Sequence, residues 1–491
     1  MRIPFAGREL LRIEEFLLVA GAALFLGTAM TSTSPALVSA ALAATVLVFL
    51  ILKTPEVGIL AVIVLTSTFF DSEVNVGFSL GFGHIYLTDI LLFVLLGWIG
   101  VRWLMDRERK LVRTPLDIPL LAFVGIASLS TAIAIFRSSL TIQQSLGEVR
   151  CIVNYLFFFA VTNLIRSEKQ VKNAVTGLLA LAALVAVAMI VQYTLGPSAR
   201  VLPGRVETLW TEGTSYAGVT RIIPPGYSLI FVAFVVLSVS LAQGASERLK
   251  PRFFIPWLLT GLGVVLTFKR HLWAAALVLF LLILYLGRKI ALNKIIRWAL
   301  ATLAVLVLSV FVGISITGSK GTSFLSSSVS RLLSLTSLET YASPNSSLRW
   351  RDFEYALAVP QIKAHPVLGL GLGAHYRPFI PHRDHPGFDG RGFIHNSHLW
   401  LMVKTGLLGY AAMAGLMALF FYRGFRGWKR LPAGPSRTVV LGFTLACAGM
   451  LLGSLVEPML IEWHWTALIA VMMGLNEVVL ESSGVQGGPL A

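Results

Sequence analysis

Long apolar runs separated by short polar connections fill most of the chain. Fourteen runs are long enough, or nearly so, to cross a bilayer: 15–31, 35–52, 57–70, 86–105, 116–136, 149–165, 172–195, 222–243, 252–268, 271–287, 296–316, 395–422, 438–456 and 460–480. A hydrocarbon core about 30 Å thick takes about 20 helical residues. The runs are continuous rather than alternating with period two, so they predict helices and not barrel strands. The fold expected is all-α: a polytopic transmembrane helical bundle. Residues 1–316 form its first eleven spans, 317–394 one large extracytoplasmic loop, and 395–491 the last three spans with a cytoplasmic tail. Within the loop, residues 347–359 read as a short amphipathic helix capped by Ser346, with Trp350, Phe353 and Leu357 on one stripe. It is expected on the membrane surface or over the bundle.

Composition agrees with a membrane protein and narrows the alternatives. Hydrophobic residues make up 56% and charged residues only 13%, about half the charge of a soluble domain. That excludes a soluble enzyme, a disordered chain and a secreted disulfide scaffold. Cys151 and Cys447 both lie in apolar runs and read as small core residues.

The net charge of +16 would suggest nucleic acid in a soluble protein. Here it obeys the positive-inside rule, and no nucleic-acid partner is expected. With the N-terminus in the cytoplasm, Lys53, the Arg102–Arg113 cluster, Arg166, Lys169, Lys172, the basic residues of 248–252 and 288–297, and those of 423–437 all fall inside. Dropping the short 57–70 run would flip every later loop, so it is counted as a span and both termini are expected in the cytoplasm. Arg2, Arg8 and Arg12 before an apolar run imitate a signal peptide. An uncleaved first span is expected, because similar spans follow.

The remaining basic residues gather on the outward side. Arg221 precedes the 222–243 run, Lys269-Arg270-His271 form the turn between two runs, and Arg349, Arg351, Arg377, Arg383 and Arg391 lie in the large loop. A guanidinium at a membrane border is costly unless it pairs or binds something, and its planar fork suits phosphate. Convergent arginines would suit a lipid-linked pyrophosphate. Headgroup contact, or pairing with Asp352, Glu354 or Glu457, is the bland alternative.

Six of the nine histidines (His365, His375, His382, His385, His395, His398) also fall in this loop and its exit. The HxxH pairs 382/385 and 395/398 lack cysteine partners and the i,i+4 spacing of a helical metal pair. No metal is therefore expected, and proton transfer is the better use for one of them. Gly369-Leu-Gly371-Leu-Gly373 has no strand-rich context and reads as backbone turning tightly rather than as a nucleotide loop.

Three stretches together are recognisable: Ser347-Leu-Arg349-Trp350, His365-Pro366-Val-Leu-Gly369-Leu-Gly371, and His395-Asn396-Ser-His-Leu399 through Thr405-Gly406-Leu-Leu-Gly409. They resemble the O-antigen ligase and Wzy-type polymerase family of bacterial polyprenyl-pyrophosphate-dependent membrane glycosyltransferases. The resemblance implies a GT-C-like fold in the inner membrane. It implies metal-independent, inverting transfer without a cofactor on the outer face. The donor would be a glycan on polyprenyl (undecaprenyl) pyrophosphate, and the acceptor lipid A–core, another lipid-linked glycan or a protein.

Residue by residue, His395 matches the family's base, and Arg270 matches the arginine heading a span after a short outward turn. Arg221 matches the arginine before an earlier span, although Ile222-Ile-Pro-Pro225-Gly226 follows it where the family has a different pattern. Arg349 is taken as a third pyrophosphate ligand. Asn396, His398, Arg351 and Lys269 are secondary candidates. Fourteen spans exceed the number common among ligases, which tilts the expectation slightly toward a polymerase. A flippase for lipid-linked glycan would also want a basic cavity, but it would carry charge deep in several spans, where only Lys404 and Glu148 stand out.

Overall fold

The structure, a computed structural model, describes residues 27, 53–67, 77–80, 83–105, 110–196, 198–199, 201–208, 220–224, 226–243, 251–286, 347–380 and 389–484. Each expected span that falls among these residues is a helix. In chain order they are α1 (Pro55–Thr66), α2 (Leu87–Met105), α3 (Asp117–Phe136), α4 (Ile142–Val153), α5 (Phe157–Leu164), α6 (Glu168–Leu195), α7 (Tyr227–Gln243), α8 (Pro251–Leu266) and α9 (Arg270–Leu286). After the loop helix α10 (Ser347–Ala364) come α11 (Ser397–Arg430), α12 (Pro435–Gly453) and α13 (Trp463–Ser482). The expected spans 15–31, 35–52 and 296–316 lie outside the described residues, as do 317–346 and 381–388 of the expected loop.

Among the described residues, seven helical stretches are long and apolar enough to cross a membrane, while α1, α7, α8 and α9 are shorter apolar helices. With 12 residues, α1 reaches about 18 Å and spans only part of a bilayer. The 149–165 run begins earlier than expected. A capping box between Thr141 and Gln144 starts α4, and a 3-10 turn at Asn154–Leu156 joins it to α5, so the continuous stretch is Ile142–Leu164.

The all-α expectation needs one correction. Two antiparallel ribbons stand beside the helices: β1 (Gly77–Leu80) with β2 (Gly83–Tyr86), and β3 (Arg205–Thr208) with β4 (Thr220–Ile223). Four-residue strands are too short to leave a periodic signal among runs several times their length.

The core is centred on α13. Within its span window, 89% of residues are buried, and it packs against α1, α4, α5, α6, α7, α11 and α12. Its partners present Phe157, Phe158, Val161, Phe231 and Phe443, all nearly inaccessible. A second packing line sets α3 against α11.

The helix α11 breaks once, at Gly406 (φ 68°). There its ladder opens to admit the glycine-rich ribbon after α10. Leu370 and Gly371 donate to the carbonyls of Val403 and Lys404 at 2.9 Å, and Leu407 donates to Pro366 at 2.7 Å. A Cβ at Gly406 would overlap the Val367 carbonyl, and one at Gly369 (φ 67°) would strike the opened backbone at 403–406. The glycines are therefore a splice between loop and helix, as the reading of a tight backbone turn expects.

Candidate functional site

The polar groups collect at the end of the bundle where α7, α9, α11 and α13 begin and α12 ends. The turn from α8 to α9 is only three residues long. Phe268 takes a left-handed conformation (φ 49°) and buries its ring against Trp273, while Thr267 Oγ1 accepts from the Lys269 amide at 3.3 Å. This turn sends Lys269 into the protein and starts α9 with Arg270 and His271. The ribbon β3–β4 brings Arg221 to the same place, where its Nε donates to the Thr267 carbonyl at 3.3 Å. Arg221, Lys269 and Arg351 all lie within electrostatic reach of His271, and Arg270 lies within reach of Arg351.

Lys269 is buried. Its Nζ pairs with Glu457 Oε1, donates to Tyr227 Oη at 3.2 Å and lies 4.4 Å from the centre of the Tyr227 ring. His271 Nε2 stands 3.5 Å from the other Glu457 oxygen. Burial works against the charge on Glu457, yet Lys269 and His271 hold its carboxyl below the ordinary range. Glu462 nearby is pushed the other way, by burial and then by the charge of Glu457.

Arg351 joins α10 to this cluster by donating from Nη2 to the Val456 carbonyl at 3.0 Å. Burial lowers its pKa, and Glu457 and Glu354 oppose that shift. Arg349, two residues earlier, is exposed.

His395 sits just before α11, between Phe393, whose ring meets it edge-on at 4.9 Å, and Glu354. Its Nδ1 lies 2.9 Å from Glu354 Oε1 and its backbone N–H donates to Oε2 at 3.0 Å. The Glu354 side chain is wholly buried, while that of His395 keeps 32% exposure. Glu457 is within electrostatic reach of His395, so the basic turn and the imidazole share one neighbourhood.

The neighbouring candidates are held by the framework. Asn396 caps α11, its Oδ1 accepting from the amides of His398 and Leu399, and its Nδ2 donates to Tyr355 Oη at 3.1 Å. His398 bonds Ser454 Oγ at 2.7 Å through Nε2 and Tyr410 Oη at 3.2 Å through Nδ1. Trp350 and Tyr376, considered for stacking on sugars, are engaged too. Arg377 lies 5.1 Å from the centre of the Trp350 ring, and Tyr376 is buried with its hydroxyl on the Phe393 carbonyl at 3.1 Å.

Sequence reasoning treated Glu354 only as a possible partner for an arginine. The signal for it was the i, i+4, i+8 series 350, 354, 358. Among the described side chains of α10, Glu354 and Ala358 are the fully buried positions, rather than the Trp350, Phe353, Leu357 stripe that hydrophobicity alone suggests.

A multi-pass, mostly helical membrane protein with a basic turn and a carboxylate-bound imidazole around Glu457 is the class these features define. Residues 255–414 match the family model described as O-Antigen ligase. This part of the chain, about a third of it, is similar to the O-antigen ligase/Wzy-type family. It takes in most of α8, all of α9 and α10, the glycine-rich ribbon and the kink of α11, with Arg270, Glu354 and His395 inside it and Arg221 and Glu457 outside. No curated protein matches the chain.

Proposed function

We propose that the protein is an inverting, metal-independent glycosyltransferase. It takes a glycan from polyprenyl pyrophosphate on the outer face of the inner membrane and joins it to an acceptor hydroxyl. Both termini lie in the cytoplasm, and the segment between α9 and α11 is extracytoplasmic. Arg270, Arg221 and Arg349 hold the pyrophosphate. Arg351 adds charge behind them, and Lys269 fixes the turn through Glu457. His395 takes the proton of the acceptor hydroxyl as the oxygen bonds to the anomeric carbon. The bond from that carbon to the pyrophosphate breaks on the opposite face, and its electron pair leaves with the diphosphate, where the guanidinium groups balance the growing charge. No cofactor takes part.

The observation that carries this reading is the partly exposed imidazole of His395 in the same polar cluster as Arg351 and Glu457, themselves beside Arg270, His271 and Lys269. Two buried charges elsewhere among the described residues, Lys404 and Glu477, are paired with Glu148 and Arg423, which favours transfer over transport.

The test is complementation of a strain lacking the gene. His395→Ala and Arg270→Ala abolish glycan transfer while the protein remains in the membrane at the wild-type level; loss of one phosphate-binding arginine costs about 3 kcal/mol in the transition state. Transfer surviving both substitutions rejects the reading. The expected loss in the deletion strain is that of a polymerase, with single-repeat glycan on the acceptor. The description of the matched family as O-Antigen ligase favours a second reading, attachment to lipid A–core. It predicts long glycan stranded on the carrier lipid.

A further inference from the structure

Glu354 makes contacts that the proposed reaction does not yet use. Two N–H groups and a ring nitrogen converge on its two oxygens: the His395 backbone amide at 3.0 Å, the indole Nε1 of Trp350 at 3.1 Å, and His395 Nδ1 at 2.9 Å and 3.0 Å. Its side chain has no exposure to solvent. The amide and the indole can only donate, and an ionised carboxylate accepts from both of them and from an Nδ1 proton as well. A glutamine in its place would turn an NH2 toward at least one of those N–H groups.

The arrangement has two consequences for the ring. Facing a carboxylate, Nδ1 must carry the proton, so the neutral imidazole keeps its lone pair on Nε2. The ring is also held at both ends of its side chain, by the backbone bond and by the Nδ1 bond to the same carboxylate, with Phe393 closing one edge at 4.9 Å. The carboxylate itself is held by α10 and lies against the residue before the N-terminus of α11, where the helix dipole favours negative charge.

We infer that Glu354 is a positioning residue for His395: it fixes the tautomer that leaves Nε2 free to receive the acceptor hydroxyl proton and balances the imidazolium that then forms. The inference rests on His395 being the base. The proton passes from the hydroxyl to Nε2, and Glu354 stays ionised throughout. The arrangement is the orienting-carboxylate logic of a hydrolytic triad applied to an alcohol acceptor.

The experiment uses the full chain purified in lipid nanodiscs, with the polyprenyl-pyrophosphate-linked glycan extracted from the deletion strain as donor. Glu354→Gln lowers kcat by about 100-fold or more, while KM for the donor stays within about twofold, because the arginines that bind it are untouched. Glu354→Asp, which keeps the acceptors, recovers part of the rate.

A Glu354→Gln enzyme that turns over as fast as wild type while His395→Ala is inactive overturns this inference and leaves the glycosyltransferase reading standing. A fully active His395→Ala enzyme overturns both. A loss in KM rather than kcat assigns Glu354 a structural role only. Should Glu354→Gln fail to reach the membrane, Glu354→Asp alone decides: lowered kcat with KM held supports the inference, and unchanged kcat overturns it.

Discussion

Nζ of Lys404 lies 2.9 Å from Oε1 of Glu148, joining α11 to α4. The lysine side chain has no exposure, and that of Glu148 keeps 25%. The pair also grips the glycine-rich ribbon between the two helices: Lys404 donates to the Ala374 carbonyl, and the second Glu148 oxygen accepts the Gly373 amide. Charges that sequence alone marks as odd within apolar runs thus fasten the loop to the bundle.

Removing one partner of a buried pair leaves the other unpaired at a cost of about 3–5 kcal/mol. Lys404→Met is expected near the top of that range, because it strands Glu148 and frees the Ala374 carbonyl. Glu148→Gln costs about as much, since it leaves a lysine with no exposure lacking its counter-charge, although the amide can still accept from Lys404. The double variant is more stable than Lys404→Met alone. Thermal unfolding of the four proteins in one detergent measures the coupling; additive losses would show that the two side chains act independently.

Gly406 and Gly415 lie in the same helix and predict opposite outcomes. Alanine at Gly406 meets both a left-handed backbone and the Val367 carbonyl, and is expected to destabilise by about 3 kcal/mol or more. Nothing lies within 4 Å of a Cβ at Gly415, so alanine there gains about 0.5–1 kcal/mol of helix propensity. The melting temperatures of the two variants should fall on either side of wild type.

The helices of the bundle were legible because apolar length is a local property that any window of the chain displays. The site was legible in part for the same reason. Arg270 and His395 each stand at the polar edge of an apolar run, where an unmatched charge or imidazole is conspicuous. Their surroundings were hidden. Glu354 reaches His395 only because α10 packs on the start of α11, and Glu457 reaches Lys269 only because the α12–α13 turn folds back on the α8–α9 turn. Those contacts join positions 41 and 188 residues apart, and hydrophobic periodicity carries no information at that separation. The ribbon bearing Arg221 was missed because its pairing is set by register between two four-residue segments.

Metal removal separates the arginine-based mechanism from its commonest rival. If guanidinium groups balance the leaving diphosphate, dialysis against a strong chelator leaves the transfer rate unchanged, and added divalent cation does not raise it. A rate that collapses on chelation and returns with magnesium or manganese would move the charge balance from Arg270 and Arg221 to a bound ion.

Glu457 and Glu462 make opposite contributions to stability as pH changes. Glu457 is held below its ordinary pKa of 4.5, so its stabilisation is present above that value and is lost as pH falls. Glu462 is raised above 4.5 by burial and by Glu457, against the pull of Lys269. Above pH 4.5 the unfolded chain ionises this carboxyl freely while the native protein resists, so the native state loses stability as pH rises until its own raised pKa is passed. Glu462→Gln abolishes that loss, because an amide does not titrate. The variant is therefore expected to melt close to wild type at pH 4.5 and above it at pH 8, with the gap widening between. A gap that stays constant, or that favours wild type at pH 8, would mean that Glu462 ionises in the folded protein as readily as in water, and that its charge is matched by Lys269 or His464, whose Nε2 is 3.6 Å from it.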